Sequence, residues 1–431
     1  MSHDEALATD LSQIESGPRW PSLTRQKGTL AEHFDPRSNS LTVVRWGLAL
    51  GVVVSHSFPL GGYHRGIEPF YVFSGPAHET LGGLAVAGFF VLSGFLITRS
   101  YKSSKNVGWF LWKRFLRIMP AFWLSLLIVA FILGPIAWIH QHHNIADYFA
   151  KAATSPWHYV KVNFFLTMHE WSIRDLLVDT PFAMSGNPAA WNGSLWTLIF
   201  EARCYLILGA FGFFGLLRHR WTVVAFTGLL YFVTVISATT APYSPTNPAG
   251  TMQTLADWIP NAQASFFFLF FLGSCCALFA NELVLDDRMG IGALIGAVLF
   301  LHYGGWFEIG LPLFAYFLIW FGTRVKYSVF ERFGDPSYGT YVMAFPIQMM
   351  LAEFGLSNLG RWTGIGGGLT YITVSLVLSG AVGYLSWHLL EKHALRLKNG
   401  IPRKARKRQS PHADAVVAPG RPHAGQALES G

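Results

Sequence analysis

Apolar runs of roughly twenty residues recur along this chain, and no other feature restricts its fold so severely. Each run is long enough to cross a hydrocarbon core about 30 Å thick. Lipid gives backbone N–H and C=O groups no partner, so such runs must fold as helices. Ten spans are expected, near residues 41–61, 80–100, 119–139, 195–217, 220–239, 261–281, 287–303, 306–322, 336–356 and 367–390. The expected fold class is therefore all-α: a polytopic membrane protein with about ten transmembrane helices. Only 13% of the residues are charged, about half the share usual in a soluble domain.

The net charge is +8, but its distribution argues against a nucleic-acid partner. Basic residues gather in alternate loops and in the tail "IPRKARKRQS", as the positive-inside bias predicts for cytoplasmic segments. An even number of spans places both termini on that side. Residues 1–38 are polar, lack the apolar core of a signal peptide and read as a flexible cytoplasmic arm. Residues 39–396 form the membrane domain, and 397–431 a basic, disordered tail. The outer segment 140–194 holds a half-apolar stretch, "YVKVNFFLTMH", suited to the membrane surface. Cys204, Cys275 and Cys276 lie within apolar runs and read as packing residues rather than a disulfide framework. There is no internal repeat of the inverted-transporter kind.

Ionisable residues inside the apolar runs are the functional candidates. "RWGLALGVVVSH" carries Arg45 and His56, eleven positions apart. At 100° per residue they share one helix face, separated along the axis by about 16 Å. Arg45 then sits at the cytoplasmic interface, where an arginine can snorkel, while His56 lies deeper with no such escape. An interfacial anchor remains the alternative for Arg45, and a hydrogen bond to a neighbouring helix the alternative for His56. Glu201, about two turns into "NGSLWTLIFEARCYLI", has comparable depth, so a carboxylate–imidazole pair with His56 is allowed. A structural ion pair is the competing reading, although Arg203 faces away from it.

Other residues carry weaker signals. Ser93, in "GFFVLSGFLIT", suits a hydrogen bond in a polar cavity, and Gly88 and Gly94 suit close helix packing. Arg114 and Arg117, in "KRFLRIMP", share one face of a short cytoplasmic helix ending against Pro120. Such a pair suits phosphate oxygens, and equally lipid headgroups. Asp335 before Pro336 reads as a helix start with a mainly structural role. His140, His142 and His143 have some ligand character, but without cysteines or helical pairing no metal is assigned. Asn192, in a glycosylation-like "NGS", sits so close to a span that capping is the better reading.

The ordered segments "FDPRSNSLTVVRWGLALGVVVSHSFPLGG", "GFFVLSGFLIT", "KRFLRIMP", "NGSLWTLIFEARCYL", "DPSYGTYVMAFPIQ" and "LSWHLLEKHAL" resemble the acyltransferase 3 family of bacterial integral membrane O-acyltransferases. The likeness spans about residues 34–397 and is greatest to members linked to exopolysaccharide and lipopolysaccharide modification. The family's arginine–ten residues–histidine motif is met by Arg45 and His56, and its Arg-x-x-Arg by Arg114 and Arg117. Its Trp-Ser/Thr-Leu-x-x-Glu motif is met by Trp196, Thr197, Leu198 and Glu201. Three departures from the family pattern stand out: Phe345 or a neighbour replaces a histidine common late in the span-nine motif, His393 replaces the usual proline of an "EKP" tail, and the esterase-like C-terminal domain of some members is not expected here.

The resemblance implies transfer of an acyl group, acetyl by family habit, from cytoplasmic acyl-CoA to a hydroxyl of a glycan or lipid-linked saccharide. Acyl-CoA is then a co-substrate, no other cofactor is expected, and membrane lipids are the remaining partner. Arg45, Arg114 and Arg117 would hold the donor phosphates, Ser93 would line the donor site and Trp196 would position substrate. His56 would act as base, with Glu201 orienting it. The alternative function is a transporter or flippase of a glycan or lipid intermediate, which also needs polar residues at depth.

Overall fold

The computed structural model describes residues 27–36, 38–142, 144–145, 147–240, 263–325, 334–358 and 365–399. Among them, ten long helices occupy the ten expected regions: α1 (Leu41–Gly61), α2 (Leu81–Lys102), α3 (Val107–His142), α4 (Gly193–Phe213), α5 (Arg220–Ala238), α6 (Ala264–Leu278), α7 (Asp287–Tyr303), α8 (Trp306–Arg324), α9 (Ser337–Glu353) and α10 (Gly366–Arg396). The molecule is an all-α polytopic protein.

Among the described residues, seven helices are long and apolar enough to cross a membrane, where ten were expected. The three others, α6, α7 and α9, hold 15, 17 and 17 residues. α6 begins directly after residues 241–262, which lie outside the described set. α9 is buried along nearly its whole length. A helix wrapped by protein has no need to be greasy, and α9 carries Tyr338, Thr340, Tyr341 and Gln348 inward. At the other extreme, α5 and α10 bury only 22% of their most apolar windows, against 67% for α2.

Arg114 and Arg117 do not lie on a separate cytoplasmic helix. α3 runs unbroken through Pro120 for 36 residues, about 54 Å. A proline inside a helix removes one N–H but need not end it where neighbouring groups take up the freed carbonyl.

Such compensation is visible around Pro346 in α9. The carbonyl four residues back, at Val342, has no helical N–H to accept. Asn192 donates to it through Nδ2 at 2.7 Å, and Ser125 of α3 through its hydroxyl at 3.3 Å. The Asn192 carboxamide oxygen also accepts from Ser194 N at 3.2 Å, so the residue does cap the turn that opens α4. All three of Asn192, Ser125 and Val342 are fully buried.

Glycine brings α2 and α6 together. A Cβ on Gly94 would lie 1.8 Å from the Phe270 carbonyl oxygen, and one on Gly273 would lie 2.1 Å from that of Val91. These are backbone collisions that no rotamer change relieves, so the packing role read for Gly94 holds.

The arm expected to be flexible over 1–38 is ordered where it is described. Strand β1 (Lys27–Thr29) pairs antiparallel with β2 (Val284–Asp286), just ahead of α7. A short helix, Leu30–His33, follows, opened by a reciprocal cap between Thr29 and Glu32 that satisfies both backbone N–H groups. Leu30 is fully buried, and that anchor is what a reading of average polarity missed. Residues 1–26 and 400–431 lie outside the described set, the basic tail among them.

Candidate active site

The arginines meet at the end of the bundle where α1 begins. Asp335, just ahead of α9, sits between two guanidinium groups, Arg45 of α1 at 3.0 Å and Arg117 of α3 at 2.6 Å. Arg117 also reaches Glu391 of α10 at 3.1 Å and lies over the rings of Tyr338 and Trp387. Glu391 in turn accepts from the Ser386 hydroxyl at 2.9 Å. Burial alone would raise the Asp335 carboxyl, but the two arginines outweigh it and hold it down to about 2. Asp335 therefore does more than open a helix, although its Oδ1 does accept from the Ser337 hydroxyl and N–H. It ties α1, α3 and α9 electrostatically, and Glu391 adds α10.

Arg114, one turn from Arg117, is held differently. Its guanidinium lies over the Tyr205 ring and reaches the Ser100 hydroxyl at 3.4 Å, while its buried Nε has no partner among the described residues. Buried guanidinium donors normally find acceptors. The unused donors thus sit on Arg114 and on Arg45, whose Nε is also unpartnered there, whereas Arg117 is spent on two carboxylates.

Glu201 lies further into the bundle. One carboxylate oxygen accepts from the Ser93 hydroxyl of α2 at 3.2 Å and from the Tyr205 hydroxyl one turn along α4. A polar relay therefore runs Ser93–Glu201–Tyr205–Arg114, crossing α2, α4 and α3. Ser93 does donate a hydrogen bond in a polar setting, as its sequence context suggested.

His56 stands apart from this relay. Its ring meets Phe345 of α9 edge-on at 5.4 Å, and its buried Nδ1 has no partner among the described residues. Neither hydrogen bond to Glu201 comes from His56. On α4 the residue abutting Phe345 is Gly193, eight positions before Glu201 and so about 12 Å from it along the axis. Glu201 is engaged by Ser93 and Tyr205 while His56 Nδ1 has no partner among the described residues, so the expected carboxylate–imidazole pair is not formed. Phe345 of α9 is the residue against the imidazole.

Trp196 packs among the rings of Phe200 and Phe266, while the adjacent Thr197 shares a 2.6 Å hydrogen bond with the Tyr341 hydroxyl. Sequence reasoning passed over Tyr205 and Glu391. Tyr205 stands one helical turn after Glu201, a spacing that brings the two side chains together, and Glu391 is a lone acid in an apolar stretch. His140 and His142 lie at the far end, His142 stacked on Trp138; His143 lies outside the described residues. Among the described residues, no three His, Cys, Asp or Glu side chains gather as a metal site.

The sequence profile of the acyltransferase 3 family, described as an acyltransferase domain, matches residues 38–384. An O-acetyl transferase of Shigella phage Sf6 is 28% identical over 369 residues, covering 83% of this chain and 96% of that protein. Nodulation protein 10 of Rhizobium leguminosarum bv. viciae is 29% identical over 187 residues, 42% of this chain and 46% of that protein. No solved structure matches the chain. The profile match runs from ahead of α1 well into α10 and takes in Arg45, His56, Arg114, Arg117 and Glu201: the chain belongs to the acyltransferase 3 family and is an integral membrane acyltransferase.

Proposed function

We propose that this acyltransferase moves an acetyl group from cytoplasmic acyl-CoA to a hydroxyl of a cell-surface or exported glycan. The observation that carries the reading is the division of labour along α1. Arg45 opens the helix within a cluster of guanidinium groups, and eleven residues on stands the half-buried His56, its buried Nδ1 without a partner among the described residues. The arginine end faces the cytoplasm, where acyl-CoA is made. Arg114 and Arg45, with unused donors, take the phosphates, and Arg117 holds the cluster in place. The pantetheine arm extends along α1 past the Ser93–Glu201–Tyr205 relay, over the roughly 16 Å that eleven helical residues span.

His56 then accepts the proton of the acceptor hydroxyl as its oxygen attacks the thioester carbonyl. The new C–O bond forms, the C–S bond breaks, and the proton passes to the departing CoA thiolate. Glu201, with no bond to His56, is a positioning residue acting through Tyr205 on Arg114. The relative named an O-acetyl transferase supports acetyl as the group transferred. Incubating the purified protein with radiolabelled acetyl-CoA and the envelope polysaccharide of a strain lacking the gene tests the reading. Label in the polysaccharide, reduced about 10²–10⁴-fold by His56→Ala, is the expected result. Thioester left intact in the presence of acceptor would sink it.

A further inference from the structure

At the end of the bundle opposite the arginines, a cavity of about 330 Å³ opens among the ends of α3 and α9 and the segment that follows each. Its volume falls within the range of small-ligand sites, roughly 300–1,000 Å³. His140, Gln141, Asp179, Glu353, Ser357 and Asn358 supply its polar lining. Two carboxylates, two amides, a hydroxyl and an imidazole form a mixed set of donors and acceptors. Among the described residues, no lysine or arginine lines the cavity, which disfavours a phosphate or other anion. So polar a wall also disfavours an acyl chain. A neutral polyhydroxylated ligand is the chemical class that such a surface satisfies.

Two further observations point to a ligand. Ser357 is only 5% exposed, and its hydroxyl has no partner among the described residues. A buried hydroxyl left unpaired costs stability unless something completes it. Pro181, which also lines the cavity, opens the short helix Pro181–Met184. The next residue, Phe182, sits edge-on against Phe345 at 5.8 Å, and Phe345 sits edge-on against His56 at 5.4 Å. Two aromatic rings are therefore all that this line of contacts places between the cavity wall and the imidazole.

We infer that this cavity is a saccharide-binding site, holding one sugar of the acceptor chain on the outer side of the Phe182–Phe345 pair while a neighbouring sugar of the same chain presents its hydroxyl to His56. The inference deepens the glycan-acceptor reading and rests on it. The test uses the full chain in lipid nanodiscs, radiolabelled acetyl-CoA, and envelope polysaccharide from a strain lacking the gene. The double variant Asp179→Ala/Ser357→Ala should raise the polysaccharide KM about tenfold while the acetyl-CoA KM stays at the parent value. Asn358→Ala, at an exposed position, provides the same readout without touching a buried residue and should raise the polysaccharide KM alone. Polysaccharide KM values unmoved in both variants, with the parent active, overturn the site. A parent chain that labels no polysaccharide overturns the acceptor reading and the site with it.

Discussion

Asp335 shows how one side chain can hold several helices to a common register. It lies within 3.0 Å of Arg45 and 2.6 Å of Arg117, and removing its charge would leave Arg45 without an ion-pair partner among the described residues and take one of two carboxylates from Arg117. Breaking a buried ion pair on one side costs about 3–5 kcal/mol, so Asp335→Asn should lower the melting temperature in detergent markedly. The same carboxyl sets an acid limit. Its pKa is depressed to about 2, against about 3.9 in an unfolded chain. Its contribution is fully present above about pH 4 and is lost as pH falls towards 2. Thermal stability followed from about pH 5 down to about pH 3 should fall for the parent chain. The Asp335→Asn variant, lacking the titrating group, should show a shallower fall. In the sequence, Asp335 beside Pro336 looked like a helix start. Its arginine partners lie 290 and 218 positions away in the chain, and nothing local announces a contact of that kind.

At the scale of elements, α9 is the helix on which the others depend. Pro346 deprives Val342 of its helical partner, and Asn192 and Ser125 replace that partner from outside the helix. Asn192→Ala should therefore cost about 1–3 kcal/mol. In a Pro346→Ala background the residue at 346 can donate to Val342 again, so the cost should shrink. A double-mutant cycle on denaturation midpoints measures the coupling, and additive effects would show that the Asn192–Val342 bond is not what matters. The α2–α6 contact is less forgiving. Gly94→Ala would drive a methyl group into the Phe270 carbonyl, and a loss of monodisperse protein on size exclusion is the expected outcome. Gly94 was legible as a packing residue because small residues in apolar runs have few other uses. The Asn192–Pro346 partnership was not, because "NGS" and "FPIQ" each look complete alone.

Across the whole molecule, the proposed function assigns different work to the two ends of the bundle, and substitutions should separate them. Arg114→Ala, which removes unused donors, should raise the acyl-CoA KM by about 10–100-fold with folding intact. Arg117→Ala removes one of the two arginines on Asp335 and leaves Glu391 without an ion-pair partner among the described residues, and should instead reduce the yield of folded protein. Equal effects on donor KM with equal stability would contradict this division. The positions of the ten helices were legible because a bilayer imposes a length and a polarity on anything that crosses it. The pairing of His56 with Glu201 was misjudged because depth was counted along each helix from an assumed interface. Each residue of error there moves a side chain about 1.5 Å, and the two offsets add. α9, wrapped in protein, escapes the demand for greasiness that a span facing lipid must meet. The reverse holds for α5 and α10, which show most of their surface outward. Along those outward faces one aliphatic side chain serves as well as another, so a saturation library should find α5 and α10 permissive to any exchange that stays oily, and α2 and α9 intolerant of almost all.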